Sequence, residues 1–420
     1  GFAIAAVLMA IMYLTLVLSL AEMSAAIPAA GGGYSFARQA MGPAGGYLTG
    51  LAVLIEYALA PAAIVIFIGS AVEALTGFNG PWVYALFYLA FVGIHLAGVG
   101  EALKVMMVIS GLAVLAIVAT AIALVANFDP SNLFDVAVTD AAGASEFLPL
   151  GWYGVWAALP FAMWLFLAVE GVPLAAEEAK NPAKDVPKGI IGAMVFLLFT
   201  ALLVVVLVPG AAGANAMGAS AVPLVDALNA TGNSSLATTV NILGLAGLVA
   251  SFFSIIYGYS RLVFALSRAG YLPQSLSITT ERKVPARALI VPAIFGFIAS
   301  LSGEGDLMLA MAVVGATVSY ALMALSHIML RIKQPELVRP YKTPGGVVTS
   351  GIALVLSLVA LTGVYAFDPR AFLYTVILFA FGAAYYFGYS SKRLVAKTAD
   401  EEFAMLADAE SDLAMAVNEG

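Results

Sequence analysis

Long apolar segments recur along the whole chain, separated by short connections that carry polar residues, glycine and proline. Most are near the roughly 20 residues that a helix needs to cross the hydrocarbon core of a bilayer. Their boundaries predict eleven membrane-spanning helices. The predicted spans are 2–22, 45–74, 81–98, 102–126, 152–174, 189–209, 237–265, 286–302, 307–330, 348–367 and 370–390.

The fold class follows from the solvent that these segments require. Inside a bilayer the backbone N–H and C=O groups need partners within the protein, and a helix satisfies them within each span. The composition agrees, with 62% hydrophobic and 10% charged residues, because so few charges cannot cover a soluble surface. We therefore predict an all-α, polytopic membrane protein surrounded by lipid. Residues 1–390 form its transmembrane domain, and 391–420 form an acidic cytoplasmic tail.

Lysine and arginine fall in alternate connections, represented by Arg38, Lys184 and Arg282, and Arg370 is the clear exception. The positive-inside rule makes those connections cytoplasmic, and it places the base-poor connections 127–150 and 210–236 outside. The first segment has no charged leader and reads as a span, not a signal peptide. An odd number of spans with this polarity predicts a twelve-span protein that is truncated before its second helix.

Enzyme chemistry finds little support in the sequence. The chain has no cysteine and two histidines, His95 and His327, which lie in different spans without a partner at metal-ligand spacing. Interior packing is the favoured interpretation of both. No phosphate-binding glycine loop and no basic stripe for nucleic acid occurs. We predict a protein that is not an enzyme, with no metal, no cofactor and no nucleic-acid partner.

Two carboxylates fall in the middle of predicted spans, Glu56 and Glu170. An acidic side chain at this depth costs about 2.5–3.5 kcal/mol on insertion scales, so a mid-span carboxylate is a candidate functional group. Glu22, Glu73 and Glu101 lie nearer to span ends, where snorkelling or helix capping is the default interpretation. Glu56 remains open between a site carboxylate and a structural partner for a neighbouring helix.

Gly171 and Pro173 directly follow Glu170 inside one hydrophobic segment. Proline cannot donate to the helical ladder and glycine lowers the cost of unwinding, so helical bonds should be lost within 167–174. The alternative is a simple proline kink. Irregular backbone at this depth is tolerated where it lines a cavity, and transporters bind substrates at such breaks.

Several polar and aromatic side chains are weaker candidates. Tyr57 and Pro61 share one face of their helix, and Glu56 lies about 100° away from Tyr57, so it should point elsewhere. Ser254 and Tyr257 share a face of another span. They are interpreted either as cavity lining or as interhelical hydrogen-bonding groups.

Four segments together resemble the amino acid, polyamine and organocation permeases. They are AEMSAAIPAAGGGYSFARQAMGPAGGYLTG, EGVPLAAEEAKNPAKDVPKGI, YSRLVFALSRAGYLPQSL and MLRIKQPELVRPYKTPGG, and they occur at that family's spacings over nearly the whole chain. The phrases IEYALAP and WLFLAVEGVPLAAEE are most similar to the bacterial ethanolamine permease branch.

The resemblance implies two inverted five-helix repeats plus two further helices, with the eleven spans as helices two to twelve. It implies that substrate lies between broken first and sixth helices. In the sixth, Trp164 matches a gating aromatic, Phe166 belongs to the same segment, and Glu170 matches the acid of a Gly-hydrophobic-Glu motif. Ala168 replaces the glycine of that motif, so we expect the break to be displaced toward Gly171.

The expected function is therefore import of a small organic amine, ethanolamine, by a secondary transporter in the bacterial inner membrane. Glu170 would hold the ammonium group, Trp164 and Tyr257 would close over it, and the backbone at 171–173 would supply oxygens. A proton or sodium ion would be the coupling ion. An amino acid permease of the same superfamily is the alternative, and a permease-derived sensor or scaffold is a third.

Overall fold

The computed structural model describes residues 1–27, 31–220 and 222–396, with only the backbone described at 99–103, 177 and 178. Within these ranges all regular structure is helical, which confirms the predicted all-α class. The α-helices are α1 (Phe2–Ala26), α2 (Gly33–Thr76), α3 (Pro81–Ala97), α4 (Val99–Leu124), α5 (Gly151–Trp164), α6 (Pro182–Ala212), α7 (Ala214–Gly218), α8 (Pro223–Ala230), α9 (Ser234–Arg268), α10 (Ala286–Ser300), α11 (Gly305–Lys333), α12 (Val347–Phe367) and α13 (Pro369–Gly388).

Nine helical segments in the described ranges are long and apolar enough to cross a membrane. Two shorter apolar helices, α3 and α10, contain 17 and 15 residues. Together they correspond to the eleven predicted spans. Helix α2 begins well before the predicted residue 45, because a short helical segment at 33–41 joins it through Gly42. Gly42 has φ 77°, a left-handed conformation that glycine adopts without steric penalty.

The helices form two related sets. The first is α1, α2, α3 and α4, and the second is α6, α9, α10 and α11. In both sets a second helix of 35 residues or more precedes the shortest apolar helix. Corresponding helices pack on each other as α1 with α6, α2 with α9 and α3 with α10. Because four spans lie between corresponding helices, the two helices of each pair run in opposite directions, which is the inverted-repeat arrangement.

One end of the bundle gathers connections that the charge pattern assigns to the cytoplasm. The Arg38 guanidinium donates to the Ala396 carbonyl at 2.8 Å, and the Val395 N–H donates to the Ala269 carbonyl at 3.2 Å. Residues 391–396 therefore pack against the bundle. The rest of the predicted acidic tail, 397–420, lies outside the described residues.

The opposite end joins the two connections predicted to be outside. Asn132 donates its side-chain N–H to the Gly210 carbonyl at 2.9 Å, and the Asn215 N–H donates to the Asp135 carboxylate at 2.8 Å. The two groups of connections thus lie at opposite ends of the helices, as a two-sided membrane protein requires. Which end faces the cytoplasm stays a prediction from the charge pattern.

Glu22 corrects one expectation, because it is not a snorkelling residue at a span end. Its carboxylate is 2% exposed and lies 2.5 Å from Arg331 Nη2 and 3.0 Å from Arg339 Nε. It also accepts the Thr343 N–H at 2.6 Å and contacts His327 Nε2 at 3.2 Å. These groups tie α1 to α11 and to the connection after α11, so the Glu22 cluster stabilises the bundle.

The two histidines are interior residues, as predicted, but each has a specific partner. His327 Nδ1 lies 2.5 Å from Ser350 Oγ, which in turn is 2.9 Å from Ser19 Oγ. His95 Nδ1 bonds the Phe91 carbonyl at 2.7 Å within α3. Both rings therefore pack within the bundle, on polar contacts that their hydrophobic sequence context did not indicate.

Candidate functional site

The helix containing Glu170 is broken, as predicted. Helix α5 ends at Trp164, residues 165–168 form a turn, and a 3₁₀-helix continues over Val169–Glu178. The position of the break corrects the prediction. The left-handed residue is Ala168, with φ 69° and ψ 20°, and not Gly171. The 3₁₀-helix contains Gly171 and Pro173 without a second left-handed residue. The turn therefore lies at Ala168, the position of the glycine in the motif.

Ala168 is held in this conformation by a side chain from a distant helix. Its backbone N–H donates to the Tyr320 hydroxyl of α11 at 3.2 Å. A left-handed conformation costs a residue with a Cβ about 1 kcal/mol. This bond offsets part of that cost and fixes where the chain re-enters the bundle.

The break brings Glu170 to Glu56, which lies in the middle of α2. Both carboxyl groups are buried, with side chains 2% and 0% exposed, and they interact with each other and with the hydroxyls of Tyr57 and Tyr320. Tyr320 donates to Glu56 Oε1 at 3.3 Å. Among the described residues, Glu56 Oε2 and both oxygens of Glu170 have no hydrogen-bond partner of good geometry.

Two adjacent carboxylates in a desolvated site repel each other and leave strong acceptors unsatisfied. No lysine, arginine or histidine of the described chain forms an ion pair with either. No group of three or more potential metal ligands occurs in the part that the structure describes. The pair is therefore suited to a single cationic group, such as an ammonium or a proton.

Aromatic rings close the site on the side of α1 and α11. Tyr13 packs on Phe166 with ring centroids 5.5 Å apart and on Tyr320 at 5.3 Å in an edge-on arrangement. The Tyr13 hydroxyl donates to the Met163 carbonyl at 3.2 Å, near the end of α5. Phe166 was a sequence candidate, whereas Tyr13 and Tyr320 were missed. Each is a tyrosine in an apolar span, with no local pattern that distinguishes it from a packing residue.

Tyr57 lies between the break and α9 because two glycines leave room for its ring. A Cβ at Gly171 would stand 3.0 Å from the Tyr57 hydroxyl, and one at Gly258 would stand 2.7 Å from its ring. Tyr57 and Glu56 both reach Glu170, although they are neighbours on the helix wheel separated by about 100°. The expectation that they point to different places is therefore wrong, because the break segment lies against the edge that they share.

The remaining candidates have other surroundings. Trp164 is half-buried and terminates α5. The Ser254 hydroxyl donates to the Ala250 carbonyl in its own helix at 2.9 Å, a common use of serine in a membrane helix. Tyr257 is buried, and the Arg261 guanidinium lies 5.4 Å from its ring centre. Roles for these three residues in closing over a substrate remain predictions.

A cavity of about 450 Å³ does not contain the carboxyl pair. Apolar side chains of α2, α4, α6, α8 and α9 line it, and Leu165 brings the turn after α5 to its wall. Thr200 and Asn241 are its polar lining residues. The two carboxyl groups thus lie at the helix break and do not line this cavity.

A family model described as amino acid permease matches residues 1–397. The branched-chain amino acid permease BcaP of Bacillus subtilis is 28% identical over 422 residues, covering 93% of this chain and 86% of that protein. BcaP of Lactococcus lactis is 27% identical, with 90% and 84% covered. A methylthioribose transporter of Bacillus subtilis is 26% identical, with 89% and 82% covered.

These relatives' names do not support the ethanolamine branch and agree better with the amino acid permease alternative. Their names describe permeases and transporters. Since the family model covers nearly the whole chain and the helices form the expected polytopic bundle, this protein belongs to the amino acid permease family.

Proposed function

We propose that this protein is a secondary transporter of the inner membrane that carries a small amino acid by alternating access, with the substrate ammonium group held by Glu56 and Glu170. The observation that supports it is the buried carboxyl pair beside the break in the helix, without a basic partner among the described residues. A charge-assisted bond is strongest in such a desolvated place.

The number of open acceptors suits an ammonium group. An ammonium has three donors, and three carboxylate oxygens of the pair lack a good partner in the described structure. The neighbouring tyrosine rings, Tyr13 and Tyr57, add faces that attract cations. An amine entering the site would compensate the acidic charge and satisfy its acceptors at the same time.

The choice of an amino acid over ethanolamine rests on the relatives. Two of them are named for branched-chain amino acids, and each covers more than four-fifths of both chains. Ethanolamine has the same ammonium group, so it remains the second candidate. Methylthioribose, for which another relative is named, has no ammonium group. It therefore serves as a control ligand that a carboxyl-pair site should reject.

Uptake by the full-length protein in proteoliposomes tests the proposal. We expect saturable uptake of labelled leucine that unlabelled valine and isoleucine inhibit and methylthioribose does not. Imposing a pH gradient without sodium, and then sodium without a pH gradient, identifies the coupling ion. Ethanolamine uptake without leucine uptake would contradict the amino acid assignment. The absence of gradient-driven uptake of any amine would contradict transport itself.

A further inference from the structure

Tyr320 is the one described side chain that hydrogen-bonds both the break and the carboxyl pair. Its hydroxyl accepts the Ala168 N–H at 3.2 Å and donates to Glu56 Oε1 at 3.3 Å. The residue is fully buried, and its ring packs on Tyr13. The hydroxyl therefore connects α11, the middle of α2 and the turn after α5 through a single oxygen atom.

Ala168 depends on this connection more than a glycine would. Its φ of 69° lies in the left-handed region, which is disfavoured for residues with a Cβ. Without the bond from its amide to Tyr320, the turn over 165–168 loses a contact that selects this conformation. The direction in which the Glu170 segment leaves the turn would then be less well defined.

We infer that Tyr320 is a positioning residue that couples the charge on Glu56 to the conformation of the break at Ala168. A hydroxyl that donates to a carboxylate becomes a better acceptor, since hydrogen bonds in a chain polarise one another. When a cation compensates Glu56, the hydroxyl holds the Ala168 amide less tightly and the turn loosens. Binding of a cation to the carboxyl pair is thereby transmitted to the helix break. The role of this coupling in transport rests on the proposed function.

Hydrogen exchange of the purified protein without substrate tests the connection directly. In Tyr320→Phe, we expect amide exchange over 165–171 to accelerate at least tenfold, because the acceptor for the Ala168 N–H is gone. Tyr13→Phe is the matched control. It removes a buried hydroxyl that bonds the Met163 carbonyl nearby, and should change that exchange less than twofold. Equal acceleration in both variants would overturn the inference.

Glu56→Gln leaves both tyrosines in place and tests the same coupling if Tyr320→Phe does not fold. The amide oxygen is a weaker acceptor than a carboxylate, so exchange over 165–171 should rise by about threefold, between the two phenylalanine variants. Exchange at the wild-type rate in Glu56→Gln would show that the charge on Glu56 does not reach the turn.

Transport provides a second readout through the compensating variant Ala168→Gly. Glycine adopts a left-handed φ without the bond to Tyr320. We expect Tyr320→Phe to lower the initial leucine uptake rate at least tenfold in the wild-type background, and threefold or less in the Ala168→Gly background. Tyr13→Phe should lower the initial leucine uptake rate by the same factor in both backgrounds. If Tyr320→Phe lowers the uptake rate by the same factor in the wild-type and Ala168→Gly backgrounds, the coupling is refuted. If no substrate is transported, the proposed function fails while the exchange measurements still decide the connection.

Discussion

Two clusters of buried acidic side chains in this protein have opposite surroundings. Glu22 is enclosed by two arginines, a histidine and a backbone N–H. Glu56 and Glu170 face each other and tyrosine hydroxyls, with no basic partner in the described structure. Both clusters are removed from solvent, so burial alone does not separate them.

The difference separates an acid whose contacts support the fold from a carboxyl pair that we propose as a binding site. A buried carboxylate with its charge compensated and its oxygens satisfied contributes to the native structure, and removing it leaves its partners unpaired. A buried pair without compensation is a cost that the fold tolerates, and such costs concentrate at functional sites. The same Glu→Gln substitution should therefore lower stability at Glu22 and lower transport, without loss of stability, at Glu170.

The largest effect is expected for Glu22→Gln. Removing the charge leaves the Arg331 and Arg339 guanidinium groups beside a neutral amide, a change that costs about 3 kcal/mol at a buried pair. We expect a clear fall in the thermal midpoint of the purified protein in detergent and a lower yield of folded protein. A midpoint equal to that of the wild type would show that the cluster contributes little to stability.

Glu170→Gln is the matched substitution at the other cluster. It preserves shape and one acceptor oxygen but removes an uncompensated charge, so the thermal midpoint should not fall. Uptake should weaken at least tenfold, equivalent to about 1.4 kcal/mol. Glu56→Gln should reduce uptake less, because Glu56 also bonds Tyr320 and a glutamine keeps that acceptor.

Equilibrium binding measured beside uptake separates two roles for Glu170. Loss of binding would assign it to the substrate ammonium. Normal binding with loss of accumulation against a gradient would assign it to the coupling proton. Unchanged binding and unchanged uptake in Glu170→Gln would contradict both roles and remove the functional side of the comparison.

Gly171→Ala should have an intermediate effect on transport and little effect on stability. The added Cβ would stand 3.0 Å from the Tyr57 hydroxyl, so the ring must shift by a few tenths of an ångström beside Glu170. We expect uptake to fall about threefold, equivalent to less than 1 kcal/mol. Gly351→Ala is the control, because its added Cβ meets open space. A similar loss in both would contradict a role for the Tyr57 contact.

The smallest effect is expected outside the membrane, at Asp368. The Arg370 guanidinium, 3.0 Å away, and its backbone N–H hold the pKa of Asp368 below its ordinary value. A lowered carboxyl pKa stabilises the fold above the unfolded pKa, and this contribution is lost as pH falls through the folded pKa. Because Arg370 is exposed, Asp368→Asn should change stability by about 0.5 kcal/mol or less. The change should be detectable at pH 7 in thermal melting and should vanish once the pH has fallen below the lowered pKa of Asp368.

The sequence alone accounts for the features of this protein that depend on neighbouring residues. Hydrophobic segments specify the spans because each helix satisfies its own backbone bonds, and proline and glycine after Glu170 indicate the break because they act on the local ladder. The position of the left-handed residue at Ala168 was not predicted. It depends on an amide bond to Tyr320, a residue 152 positions away.

The pairing of distant side chains was decided by the tertiary structure. Glu56 and Tyr320 are 264 residues apart, and Glu22 and Arg331 are 309 residues apart. The sequence identifies Glu56 as a costly residue in the middle of an apolar span and places Glu22 near a span end. Neither position reveals whether a base or a second acid lies opposite. Packing of α11 and the connection after it brings arginines to Glu22, and the broken segment after α5 brings another carboxyl to Glu56. The charge of the nearest neighbour, which local sequence cannot specify, thereby separates a stabilising ion cluster from a candidate binding site.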